Sequence, residues 1–227
     1  MKFTSPVYSG VSGSIAGLVY SHNAGGLYTR ARSIPTNPGS AQQTAVRNAL
    51  SGLASAWANT LTTAQRAAWA VYAANVPLIG PLGNARKVSG IAQFIRSNTP
   101  RLQAGLTEVD DGPTDYTLAA FVNPTITVTA ASPEFSIVFD NTDTWATATG
   151  GAMLVYASRP QSPGINYFKG PYQLAGKIAG ATVAPTSPQT LTSPFVLTAG
   201  QQVFFRVEVT NADGRLSSPF RAAGTAT

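Results

Sequence analysis

The chain predicts an α+β fold in three parts: a Gly-rich β-hairpin arm over residues 1–39, a small helical domain over 40–105 and an antiparallel β-sandwich over 117–227. Three observations predict it. Apolar residues recur at helical spacing only between Ser40 and Gly105. β-Branched and alternating runs take over after Thr117. Between them, residues 106–116 hold Glu108, Asp110, Asp111, Gly112, Pro113 and Asp115, the sharpest change of composition in the sequence and the expected acidic linker.

In the arm, Ser14–Ser21 and Leu27–Arg32 flank His22-Asn-Ala-Gly-Gly26. That loop is rich in residues that tolerate positive φ, which predicts a hairpin. Alternation places Arg30 and Arg32 on one face. Pro35-Thr-Asn-Pro38-Gly39 closes the arm, because two prolines and a glycine cannot continue a strand ladder.

Helices follow. Ser40 and Gln43 have capping-box spacing, and Val46, Leu50, Leu53 and Trp57 then form the stripe of a helix with one buried face. Thr62 and Gln65 repeat the box and open a second helix from Ala64 to about Asn75, carrying Ala68, Trp69, Val71 and Tyr72. Pro77 and Pro81 break it. A third helix starts near Ser89 and sets Ile91, Phe94, Ile95 and Asn98 along one side. Pro100 kinks or ends it, with Gly105 as its C′ residue.

Strands are expected at Pro124–Thr129, Phe135–Phe139, Met153–Ser158, Phe195–Thr198 and Val203–Thr210. Pro, Gly, Asn, Asp and Thr turns separate them at sandwich-like spacing. On the last run Val203, Phe205, Val207 and Val209 should face the core, while Phe204, Arg206, Glu208 and Thr210 face out. Asn211-Ala-Asp-Gly214 then turns the chain into a second strand. This hairpin resembles the last two strands of fibronectin type III and immunoglobulin-like modules.

Charge divides the chain differently. Residues 1–107 contain nine Lys or Arg and no acid, whereas 108–227 hold six Lys or Arg against nine Asp or Glu, giving +9 and −3 for a total of +6. Such asymmetry points to a basic half that meets something anionic: an acidic face of a partner or second copy, nucleic acid, or a membrane surface. The cations are sparse and form no run, which favours a protein partner over DNA. Charged residues make up only 11% of the chain, against about 25% in ordinary domains. A surface so poor in charge suits burial against other subunits.

Chemistry is hard to build from these residues. There is no cysteine and one histidine, which excludes disulfides, thiolate sites and histidine clusters. Gly10-Val-Ser12-Gly-Ser14 fails the nucleophile-elbow pattern at its fifth position, and His22 falls in a hairpin loop. The carboxylates of 108–115, and Asp140, Asn141, Asp143 and Thr144, invite a Ca²⁺ reading but lack EF-hand spacing. Trp57, Trp69, Tyr72 and Phe94 have the composition of a base-stacking surface but lie on apolar helical stripes, as core residues do. Tyr156, Tyr167, Phe168 and Tyr172 are candidates for a sugar-stacking platform. No catalytic residue, cofactor or metal is expected. The stretch 3–29 is broken by Gly, Ser and Asn, so it lacks the apolar run of about 20 residues of a membrane span. It is a poor signal peptide as well, and synthesis in the cytoplasm without a targeting segment is expected.

One resemblance runs through the N-terminal half. Gly13-Ser-Ile-Ala-Gly17, His22-Asn23, Gly25-Gly26, Tyr28-Thr-Arg-Ala-Arg32, Pro35-Thr-Asn-Pro38, Gln42-Gln43 and Arg47 come in order. Leu61-Thr-Thr-Ala-Gln-Arg66, Trp69, Tyr72, Gly90, Phe94, Arg96-Ser-Asn98 and Leu102-Gln-Ala-Gly-Leu106 follow. Over about residues 5–111 this pattern is similar to that of uncharacterised structural proteins encoded by tailed phages and prophages. The resemblance implies a virion structural component; with the Gly-rich arm and the charge-poor surface, the expectation is a non-enzymatic head, neck or tail protein that assembles as a homo-oligomer through its N-terminal arm and contacts other virion proteins. The resemblance brings no catalytic residues. Arg30, Arg32, Arg47, Arg86 and Lys87 are then the expected interface cations, and host-surface carbohydrate is the alternative ligand, bound through the sandwich.

Overall fold

The computed structural model describes residues 12–23, 26–79 and 83–227. It has the expected α+β architecture, and the chain divides into two compact units, 1–41 and 42–227.

In the first unit β1 (Gly13–Ile15), β2 (Leu18–Asn23) and β3 (Gly26–Ala31) form an antiparallel sheet in that order. The strand expected over Ser14–Ser21 is therefore two strands. Ala16 and Gly17, at φ 46° and 82°, turn β1 back so that Ile15 opposes Leu18. Positive φ at both central residues gives a turn whose twist matches the strands. β2 runs on through His22, which opposes Leu27, so the histidine sits in a strand rather than in the loop. Ala24 and Gly25 of that loop, Lys2 and Gly10 of the arm, and Pro81 lie outside the described residues.

The second unit opens with three helices: α1 (Ala41–Asn59), α2 (Thr63–Asn75) and α3 (Gly90–Gln103). The Thr62 box forms as expected: its hydroxyl accepts from the Gln65 amide while the Gln65 side chain accepts from the Thr62 N–H. Leu53, Leu61, Trp69, Tyr72, Val76 and Phe94 make the helical core. Trp69 and Phe94 meet edge to face at 5.6 Å. Val71, expected on the buried face, is 45% exposed, because it lies two residues, or about 200°, round the helix from Trp69. α3 runs through Pro100 and closes in a Schellman motif, with Leu106 N–H donating to Arg101 O and Gly105 N–H to Leu102 O. Gly105 takes the left-handed φ of 67° that this motif needs. A two-stranded ribbon, β4 (Leu78–Ile79) and β5 (Ala85–Arg86), connects α2 to α3.

Seven strands form the sandwich: β6 (Thr125–Thr129), β7 (Glu134–Val138), β8 (Ala152–Ala157), β9 (Gln173–Ala179), β10 (Gln189–Thr192), β11 (Gln202–Thr210) and β12 (Phe220–Thr225). One sheet has the order β10-β7-β6 and the other β12-β11-β8-β9, all antiparallel. Between them Phe135, Ile137, Trp145, Met153, Val155, Val203, Phe205, Val207 and Val209 close the core. The inward alternation of β11 is as expected. Phe195–Thr198 is not a strand: Leu197 is buried beside a Val196 that is 86% exposed. The partner of β11 starts at Phe220, and only an isolated Thr210–Leu216 bridge remains where it was placed.

Segment 106–116 is packed against the helices rather than spanning open solvent. Trp69 Nε1 donates to Asp110 O at 2.8 Å, Gln65 Nε2 to Asp111 Oδ1 at 3.0 Å, and Asn98 exchanges two bonds with the Val109 backbone. Gly112 is held so closely that a Cβ would lie 2.7 Å from the Ala68 carbonyl carbon and the Trp69 nitrogen.

Candidate functional site

The face of the β12-β11-β8-β9 sheet that the sequence assigns to solvent is covered over much of its area. Ala152, Leu154 and Tyr156 of β8 are buried there beneath Ala104, Leu106, Tyr172 and Leu174. From β11, Phe204, Glu208 and Thr210 are buried as well. An alternating strand whose polar face packs on a helix needs polar partners across the contact, and α3 supplies them.

Arg101 is 1% exposed. Its Nε donates to Thr107 O at 3.0 Å, and its Nη1 reaches Gly150 O (3.0 Å), Thr210 Oγ1 (2.9 Å) and Asn211 O (2.9 Å). Burial lowers its affinity for the proton, and the Asp213 charge opposes that effect. Lys177 on β9 donates to Gly105 O at 3.2 Å. One turn earlier, Arg96 Nη2 donates weakly to Ser217 O at 3.4 Å. Desolvation pushes the Arg96 pKa down, partly offset by the nearby Glu208 carboxylate. Its Nη1 is buried and has no hydrogen-bond partner.

Past the end of this seam lies an open cleft of about 500 Å³. Val46 of α1 and Arg96, Thr99 and Gln103 of α3 form one wall; Tyr156, Leu174 and Arg206 of the sheet form the other, with Lys169–Tyr172 at the rim. Arg206 pairs with Tyr156 across β11 and β8. Its guanidinium carbon stands 5.3 Å from the tyrosine ring centroid, and its Nη2 donates to Glu208 Oε1 at 2.5 Å. Burial raises the Tyr156 pKa to about 12, and the Glu208 charge adds to the effect.

Tyr172 belongs to this cleft and to a shallower neighbour of about 230 Å³ formed with Tyr167, Phe168, Phe204 and Arg221. Phe168 stacks on Phe204 at 5.8 Å and meets Tyr172 edge to face at 5.3 Å; the Tyr172 hydroxyl donates to Phe168 O. Tyr167 is 69% exposed. The structure thus gathers three of the four tyrosine and phenylalanine residues expected to stack on sugar. Tyr156 lies beneath them on the sheet. Sequence reasoning misses Arg96 and Arg206 as site residues: alternation sets Arg206 on the outward face of β11 but carries no sign that α3 lies against that face.

The other candidates fall elsewhere. Arg30 and Arg32 are exposed in the arm unit, while Arg47 on α1, Arg86 on β5 and Lys87 are exposed in the second unit. Ser12 and His22 are exposed. Trp57, Trp69, Tyr72 and Phe94 belong to the helical core or its margin. The carboxylates are used structurally: Asp140 Oδ1 accepts from Thr142, which holds its pKa down, and Asp143 Oδ2 accepts from Trp145 Nε1 and Val122 N. Asp115 pairs with Arg215. Among the described residues no group of three or more His, Asp or Glu is placed to hold a metal ion, and no helix is long and apolar enough to cross a membrane.

No protein-family model matches the chain, and no curated protein matches it in sequence. Among solved structures, a family 76 glycoside hydrolase from a bovine Bacteroides thetaiotaomicron strain aligns over 47% of this chain at 12% identity and a TM-score of 0.31. The chain spans 20% of that enzyme's length.

Proposed function

We propose that the protein is a non-enzymatic structural subunit of a phage virion, a head, neck or tail component that assembles into a homo-oligomer through its N-terminal arm. The observation that carries the assembly reading is the arm sheet itself. None of the described residues of 12–41 is buried, and Ile15, Leu18 and Ile34 are 66%, 41% and 78% exposed. Among the described residues of this unit no second layer covers the three-stranded sheet, and such a sheet gains little from burying its own side chains, which suits a cover from another molecule. Arm strands can add to a neighbouring sheet edge through main-chain hydrogen bonds, which suits their small residues. Charge supports a second copy as that neighbour: Arg30 and Arg32 belong to a half without acids, and all nine acids lie in the other half. The placement in a phage particle rests on the sequence pattern of residues 5–111.

The test is the solution mass of the full chain beside a form lacking residues 1–39, measured by light scattering. The second unit retains both hydrophobic cores, so the truncated form should fold. A discrete oligomer that becomes monomeric on truncation is expected; equal monomeric masses would remove the assembly role of the arm.

A second reading, a host-surface carbohydrate-binding module, is favoured by the convergence of Tyr167, Phe168 and Tyr172 around one depression.

A further inference from the structure

We infer that the cleft between α3 and the β8–β11 face is a binding site for an acidic saccharide, a chain of carboxylate-bearing sugar rings. The inference rests on the carbohydrate-binding reading and specifies its site and its ligand.

Three features point to this chemistry. The first is size: about 500 Å³ lies within the range of about 300–1,000 Å³ of small-molecule sites and suits a short run of rings better than a lone ion. The second is charge. Arg96, Lys169 and Arg206 line the cleft, and no Asp or Glu does. Glu208 lies behind Arg206 and occupies part of its guanidinium, leaving an excess of cation at the opening. Arg206 and the exposed Lys169 line the cleft, and a guanidinium or ammonium group takes a carboxylate as its strongest hydrogen-bond acceptor.

The third feature is the aromatic surface. Tyr156 forms part of the wall, and Tyr172 leads from the cleft to Tyr167 and Phe168. Sugar rings present flat C–H faces that pack on aromatic rings, while their hydroxyls and carboxylates take the polar contacts. Arg221 in the second depression extends the pairing of one cation with one aromatic surface beyond the first ring. A nucleic acid would also stack, but it carries a phosphate on every unit and gains affinity from a long basic track. Here the two depressions together hold only four cations, Arg96, Lys169, Arg206 and Arg221, which is too few for a long basic track.

Titration calorimetry on the full chain tests the proposal with four probes: a galacturonate trimer, a sialate trimer, neutral maltotriose and hexathymidylate. At least one acidic trimer is expected to bind about tenfold or more tightly than maltotriose. Lys169→Glu, at an exposed position, should weaken that binding about tenfold or more while leaving the circular dichroism spectrum unchanged, and Tyr172→Leu should weaken it too. Equal binding of maltotriose and the acidic trimers would overturn the proposal while leaving a carbohydrate module standing. No binding of any saccharide at millimolar concentration would remove both. Tighter binding of hexathymidylate would overturn it in favour of nucleic acid, and an unchanged affinity in Lys169→Glu would overturn the location.

Discussion

Arg101 on α3 and Thr210 at the end of β11, 109 residues apart in sequence, are joined by a buried 2.9 Å hydrogen bond from Nη1 to Oγ1. The same guanidinium serves the carbonyls of Thr107, Gly150 and Asn211. One side chain thus binds the end of a helix, the loop before β8 and the turn after β11.

Replacing Arg101 by Met keeps much of the volume and removes the donor to Thr107 O, Gly150 O and Thr210 Oγ1, leaving Asn211 O only its long bond from the Thr210 hydroxyl. Hydrogen bonds to charged groups contribute about 1.5–3 kcal/mol each in favourable cases, and they do not add fully. A loss of about 3–4 kcal/mol is expected in urea unfolding. Arg101→Lys should recover little, because an ammonium cannot reproduce the spread of the guanidinium fork. A loss below about 1 kcal/mol for Arg101→Met would show that the seam is held elsewhere.

Gly112→Ala tests whether segment 106–116 is fastened to α2. The added methyl would meet backbone atoms of Ala68 and Trp69 at 2.7 Å, and a helix backbone cannot yield as a side chain tip can. Destabilisation of about 1–3 kcal/mol is expected. Hydrogen exchange should show the Val109 amide, which donates to Asn98 Oδ1, losing protection in the same variant. Unchanged stability and exchange would mean the segment detaches freely.

Alkaline pH should weaken the fold through buried tyrosines. Burial raises both Tyr72 and Tyr156 from 10.0 to about 12. Their folded-state pKa values lie above the unfolded ones, so their contribution is complete below pH 10 and is lost as pH rises from 10 to 12. The Tyr72 and Tyr156 phenols should ionise late in the ultraviolet titration, and burial raises Tyr172 in the same direction. Tyr156→Phe should remove one of them and make the urea midpoint less sensitive to pH in that window. Identical pH dependence of the variant and the parent chain would refute this role for Tyr156.

Thr62→Ala removes the hydroxyl that accepts from the Gln65 amide. A cost of about 1 kcal/mol is expected for the lost cap. Because Gln65 also donates to Asp111, the loss should exceed that of Ser89→Ala, whose contact to Ala92 N is longer at 3.4 Å. The comparison is made in urea with both variants side by side.

The helices were legible because their signals are local: the Thr62–Gln65 box, the Trp69–Tyr72 spacing and the glycine at 105 each act within a turn or two. The strands read correctly, β6, β7, β8 and β11, are those rich in Val, Ile and Phe. β9, β10 and β12 were missed because Gln173–Ala179, Gln189–Thr192 and Phe220–Thr225 are built largely from Ala, Gly, Thr and Gln. They are strands because β8, β7 and β11 offer them edges. The cleft was half legible. Its tyrosines stand out by type, whereas Arg96 enters only as part of the N-terminal sequence pattern. That α3 would lie on the outer face of β11 depends on pairings more than a hundred residues apart, such as Arg96 with Ser217, and no periodicity carries that information.

The seam around Arg101 limits how this sandwich can be inherited. Modules joined by slack tethers can be exchanged between genes at the tether, each half arriving intact. A crossover within 106–116 would instead separate the guanidinium from its acceptors at 150, 210 and 211 and uncover Leu154 and Tyr156. Because Phe94 of α3 shares a core with Leu53 of α1 and with Trp69 and Tyr72 of α2, the smallest cassette that can be transplanted whole begins before α1.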